Sequence, residues 1–148
     1  MAREPRLLIF ETTGEWNVAI RWQTGLRTGE VRTLSTLLEA RTAIRESPGT
    51  LAVLEATRAT AEGVWRLIWE LRRTCPSARV VVVLDAAVRD LADLFHEVGA
   101  LWVASSPRRL DRLRSWLVPA GPATPDLQQA TAAEVKESLW ARLPWGDS

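Results

Sequence analysis

The chain of 148 residues contains one cysteine, Cys75, one histidine, His96, and no tyrosine. A single cysteine excludes a disulfide framework, and one cysteine with one histidine excludes a zinc site of the usual Cys/His kind. Neither residue has a catalytic neighbour in sequence; Cys75 reads as a helix end before Pro76, and His96 as incidental. Lysine is almost missing, with Lys136 alone among 19 basic residues. Apolar runs are short, and the longest, around Val80–Leu84, falls well below the ~20 residues that span a bilayer. No charged and then apolar leader with a small-residue cleavage site opens the chain, so the expected location is the cytoplasm. Neither sign of charge is in excess, and a net charge of +1 gives no global field to recruit nucleic acid. What remains is ordinary globular composition, 47% apolar and 25% charged, enough for one domain and a tail. The aromatic set is lopsided, with eight tryptophans against two phenylalanines.

Composition changes at Pro119, where Pro-Ala-Gly-Pro-Ala-Thr-Pro over 119–125 reads as a semi-rigid linker. The body, 1–118, carries 17 basic and 14 acidic residues, while the tail, 126–148, is weakly acidic and is expected to be partly helical. Within the body, strand-like and helix-like stretches alternate. Leu7–Phe10, Leu51–Leu54, Val80–Leu84 and Leu101–Ala104 are short continuous apolar runs, as in strands buried on both faces of a parallel sheet. Val31–Leu34 is more polar and suits an edge strand. Helical spacing joins Leu37, Ala40 and Ile44, then Val64, Leu67, Ile68 and Leu71. It also joins Val88, Leu91, Phe95 and Val98, with Asp85 as N-cap and Gly99 as stop. Leu110, Leu113 and Leu117 mark a last helix over 107–118, entered through Ser106-Pro107.

One segment, 15–23, supports two readings. Trp16, Val18, Ile20 and Trp22 alternate like a strand, whereas Thr12 or Thr13 could cap a helix that Gly25 stops. Parallel pairing of the first two strands requires a crossover, which favours the helix. The expected fold class is therefore α/β: a doubly wound five-stranded parallel sheet, (βα)5, flavodoxin-like, with a C-terminal helical tail.

On that frame the body resembles the receiver domain of bacterial response regulators. "LLIFE" is similar to the first strand, which in receivers ends in a pair of magnesium-binding acids. "LAVLEATRATAEG" resembles the third strand and its loop, with Glu55 at the place of the phosphorylated Asp and Gly63 at the following Gly. "VVVVLDAA" resembles the fourth strand, with Asp85 where receivers keep a switch Ser or Thr. "GALWVASSP" resembles the segment ending in Lys-Pro, with Ser106 in place of the Lys. Val103 occupies the position of the switch aromatic, one residue after Trp102.

The resemblance implies a degenerate phospho-acceptor pocket made of Glu11, Thr12, Glu55, Asp85 and Ser106. Thr12 removes one magnesium ligand, Glu55 displaces the acceptor carboxylate by a methylene, Asp85 repels a phosphoryl group, and Ser106 removes the neutralising cation. No catalytic residue, cofactor or bound metal is expected. Three carboxylates at strand ends could alternatively form a divalent-metal or small-ligand sensor site. The plainer reading pairs Glu55 with an arginine such as Arg58 and leaves Asp85 as a cap. In another reading Glu55 imitates a phosphorylated acceptor.

Partner or dimer contacts are expected at Arg109, Arg112 and Trp116 on the last helix, and at Trp65 and Trp69 one turn apart on the third. Trp16, Trp22 and Trp102 are assigned to packing within the body. In the tail, Leu139, Trp140, Leu143 and Trp145 form a docking motif for the chain itself, a dimer mate or another protein. The function expected is a non-enzymatic, non-phosphorylatable receiver-like interaction module in signalling. It would work through a protein partner or homodimer, without nucleic acid or membrane.

Overall fold

Strands in which every residue is apolar need cover on both faces, and the four residues of β1 (Leu7–Phe10) are all buried. A computed structural model of the chain describes residues 5–108 and 110–117, and it provides that cover. Five parallel strands form one sheet in the order β2-β1-β3-β4-β5, with β2 at Val31–Leu34, β3 at Leu51–Ala56, β4 at Arg79–Leu84 and β5 at Trp102–Ala104. The partners run in register, Leu7 opposite Leu51 and Val31, Ala52 opposite Val80, and Val81 opposite Trp102. The helices are α1 (Glu15–Thr24), α2 (Leu37–Glu46), α3 (Ala61–Thr74) and α4 (Ala92–Val98). The expected linker 119–125 and tail 126–148, with Leu139, Trp140, Leu143 and Trp145, lie outside the described residues, as does Arg109.

Alternation along the strands divides the core in two. On one face Leu7, Ile9, Leu51, Val53, Val81 and Val83 meet Trp16 and Ile20 of α1 and Leu110 and Leu113 near the end of the domain. On the other, Leu8, Phe10, Ala52, Leu54 and Val82 meet α2, α3 and α4 through Ile44, Ile68 and Phe95. The doubly wound architecture follows from this division. No helix among the described residues is long and apolar enough to cross a membrane.

Residues 15–23 are helical, as the crossover demands. Trp16, Ile20 and Thr24 are buried at intervals of four, while Val18 and Trp22 point outward. Trp22 is 87% exposed, which corrects its assignment to the packing of the body. The strand-like alternation is thus a helix with apolar residues on two sides. Its start differs from expectation too: Gly14 stands at the N-cap with a φ of 84°, and neither Thr12 nor Thr13 caps it. Gly25 ends the helix as expected, with a φ of 74° and its N–H on the Arg21 carbonyl.

Two expected helices are tighter and shorter. Asp85 does cap the segment after β4, but that segment, Ala86–Leu91, is a 3₁₀ helix interrupted at Val88 before α4 begins. Among the described residues of the expected helix over 107–118, Pro107 and Arg108 form a turn and Asp111–Trp116 a 3₁₀ segment. The buried residues Leu110 and Leu113, with half-buried Trp116, are spaced by three, and a three-residue turn aligns such positions. Trp116 packs on Trp102 with ring centroids 5.7 Å apart, so Trp102 does join the body's packing as expected.

The α3–α4 junction is closed by Arg72, whose guanidinium donates to the Glu97 and Val98 carbonyls at 3.2 Å each. Its stem lies against Gly99, where φ is 118° and an added Cβ would sit 2.6 Å from Arg72 Cδ. Backbone conformation and space therefore both require glycine. Gly99→Ala is expected to lower the unfolding free energy by about 1–3 kcal/mol. In the Arg72→Ala background the Gly99→Ala cost should be smaller, because the steric part is gone; urea unfolding midpoints of the four proteins check this.

Candidate functional site

The carboxyl ends of β1 and β3 lie side by side, and each delivers a buried acid. Glu55 is the fifth residue of β3, two beyond Val53, so the alternation turns it toward the α1 face. It is 1% exposed. Glu11 follows β1 directly and is 8% exposed. Burying carboxyl groups so thoroughly requires donors close by.

The donors come from the β1–α1 loop. Glu55 Oε1 accepts from the Thr12 backbone N–H at 2.9 Å and from the Thr12 hydroxyl at 2.8 Å. The Thr13 hydroxyl donates to Glu55 Oε2 at 2.9 Å. Glu11 turns the other way and takes the Trp16 and Asn17 amides in the first turn of α1, both at 2.9 Å. This explains why neither threonine caps α1: both hydroxyls are committed to Glu55, and the carboxyl group of Glu11 meets the helix amides instead. Burial holds the Glu11 pKa above its ordinary value of 4.5; the Asn17 and Trp16 amides oppose that shift, and the charges of Glu55 and Glu15 add to it.

The second loop is fixed from within. The Thr60 hydroxyl donates to the Glu55 carbonyl at 3.0 Å and accepts from the Thr57 amide at 2.9 Å. The expected pairing of Glu55 with Arg58 does not form. The ion pairs among the described residues are Arg6–Glu30, Arg41–Glu70 and Arg66–Glu62. Local threonine donors already occupy both oxygens of Glu55, and Arg58 stays exposed.

The five pocket residues divide accordingly. Thr12 and Glu55 form one hydrogen-bonded group with Thr13, which sequence reasoning missed as a pocket residue, while Glu11 is bonded separately to the first turn of α1. Asp85 is exposed and serves as a cap, its carboxylate 3.5 Å from the Ala87 amide. Among the described residues, no three His, Cys, Asp or Glu side chains are grouped so as to hold a metal ion, so the three-carboxylate arrangement does not assemble. Ser106 is half-buried and accepts from the Arg108 amide at 3.3 Å within its own turn.

That turn is held by a residue with no signal in the sequence. The Gln23 side chain of α1 donates to the Pro107 carbonyl and accepts from the Leu110 amide, the latter at 2.9 Å. The remaining expected contacts are spread over both layers. Arg112 lies 6.0 Å from the Trp102 ring centroid beside half-buried Trp116. Trp65 and Trp69 are 37% and 47% exposed on α3, and Arg73 stacks over Trp69 at 4.8 Å.

Among solved structures, the chain is similar to the signal receiver domain of a protein described as a Luxo repressor from Vibrio parahaemolyticus. The TM-score is 0.60 at 16% identity, over 93% of this chain and 98% of that one. At that identity the likeness establishes the fold, and the fold is the receiver fold. No protein-family model matches the sequence, and no curated protein matches it.

Two measurements test the acid pair. Thr13→Val removes the donor to Glu55 Oε2 and is expected to cost about 1–3 kcal/mol of stability in urea unfolding; Thr12→Val leaves Oε1 its backbone N–H and should cost less, about 0.5–1.5 kcal/mol. Glu11 supplies a pH signature. Because its folded pKa is raised, its favourable contribution is full below the unfolded value and is lost as pH rises through the folded one. The unfolding free energy of the wild type minus that of Glu11→Gln should therefore fall as pH is raised from below 4.5 and then level off.

Proposed function

We propose that this receiver-fold chain is a phosphate-independent interaction module in signalling, with no enzymatic activity of its own, acting through a protein partner in the cytoplasm. One observation carries the reading: the carboxylate at the acceptor position, Glu55, is buried and both its oxygens already accept hydrogen bonds from Thr12 and Thr13. In-line phosphoryl transfer to a carboxylate needs a free oxygen, room on its open side, and cations to neutralise the incoming phosphoryl group. Here the room is taken by the β1–α1 loop. The residues at the other pocket positions, Glu11, Asp85 and Ser106, bring no positive charge.

The same tie suits a different use of the fold. A loop held by the carboxylate at the end of a neighbouring strand keeps one conformation without an external ligand, and presents a fixed surface to a partner. The exposed tryptophans of α1 and α3 are the natural anchors for such contacts. A metal- or ligand-sensing role would require a third converging carboxylate or an unoccupied donor set at the strand ends, and Asp85 does not provide it.

Incubation with acetyl phosphate and magnesium, followed by intact-mass measurement, is expected to leave the mass unchanged. It is expected to remain unchanged in Glu55→Asp, since Thr12, Asp85 and Ser106 still withhold metal ligand, switch hydroxyl and cation. A phosphate adduct on the wild type would overturn the reading.

A further inference from the structure

The near-neutral net charge conceals two local patches of opposite sign, one on each side of the sheet. On the side covered by α1, the exposed or half-exposed arginines include Arg21, Arg27, Arg108, Arg112 and Arg114, against which α1 exposes Glu15. Gln23 ties the Arg108 turn directly to α1. On the opposite side, the stretch from the end of β4 through α4 exposes Asp85, Asp90, Asp93 and Glu97 against Arg89 alone. None of these groups takes part in the ion pairs among the described residues, which are Arg6–Glu30, Arg41–Glu70 and Arg66–Glu62. The Arg72 guanidinium at the carboxyl end of α4 offsets part of the acidic patch, and each surface keeps an excess of one sign.

Each surface also carries large apolar side chains in solvent. On α1, Val18 and Trp22 stand one turn apart, 62% and 87% exposed. On the acidic side, Leu94 of α4 is 48% exposed and Leu101 43%, the latter placed on the α4 side by alternation with Val103. An apolar pair framed by one sign of charge, with its counterpart framed by the other, is the composition of two halves of one interface.

We propose that a second copy of this chain covers the basic α1 surface with its acidic α4 surface. The proposal rests on the interaction-module reading and names its partner. The two halves lie on opposite faces of the sheet, because α1 packs with Leu7 and Ile9 and α4 with Leu8 and Phe10. A contact between different patches is heterologous: each subunit keeps one free half, and association continues until a ring closes or an open chain grows. The symmetric dimer expected from the sequence would instead stop at two.

The test uses the full chain. Light scattering at low salt should give a weight-average mass that rises with concentration past twice the monomer. Raising NaCl from about 50 to about 500 mM should weaken the association about tenfold or more, because the framing charges are exposed. Two surface variants then separate the halves. Trp22→Ser with Arg108→Glu disables the α1 half, and Leu94→Ser with Asp93→Lys disables the α4 half. Circular dichroism verifies that each variant remains folded. Each alone should be monomeric, and an equimolar mixture should form a species of twice the monomer mass that grows no further. A wild type that stays monomeric, a wild type that stops at a dimer, or a mixture that does not associate would each overturn the proposal. None of these results bears on the phosphate experiment, which reads the Glu55 pocket and neither surface.

Discussion

A carboxyl group buried at the end of a central strand must find donors within reach, and that requirement organises one end of this molecule. Glu55 draws the Thr12 amide and both threonine hydroxyls onto its two oxygens. With the threonines committed, the first turn of α1 needs another acceptor, and Glu11 supplies it. The left-handed Gly14 then lets the chain turn from the loop into the helix. Two acids, two threonines and a glycine thus behave as one unit, and α1 is placed over the sheet by it. Gln23 carries the constraint further, because the far end of the same helix holds the turn after β5.

Much of the fold was legible because a parallel sheet leaves a strong trace. Leu7–Phe10 and Val80–Leu84 are apolar on both sides, and only cover on both faces explains that. Topology then decided residues 15–23 where periodicity could not. The failures share a cause: they occur where side chains compete for a role. Thr12 and Thr13 are good caps in isolation, but a buried carboxyl group attracts their hydroxyls more strongly than an exposed helix end does. Leu110, Leu113 and Leu117 fit an α-helical stripe, yet Leu110, Leu113 and Trp116 fit a three-residue turn, and the Trp102 contact selects the latter. Trp22 looked like core because tryptophan usually is, and nothing in the local pattern distinguishes its side of the helix from that of Trp16.

The site was legible in its members more than in its arrangement. The resemblance to receiver domains named Glu11, Thr12 and Glu55; Thr12 does bond Glu55, and Glu11 bonds the start of α1 instead. Asp85 and Ser106 were named on the same grounds and stay apart, each satisfied within its own loop. A strand end gives the position of a residue; its hydrogen-bond partner depends on side-chain length and on what the next loop offers. Gln23 and Thr13 gave no signal because amide and hydroxyl side chains are common in loops, and their partners lie 87 and 42 residues away.

The length of Glu55 has an evolutionary consequence. Its extra methylene is what carries the carboxylate to the hydroxyls of the neighbouring loop. Shortening it to aspartate would release the exposed threonine hydroxyls to solvent and give up their bonds, while replacing the threonines first would leave the buried glutamate short of donors. Either first step weakens the fold before any second step can compensate. A pocket knitted in this way is costly to change one residue at a time, because each part of it satisfies another.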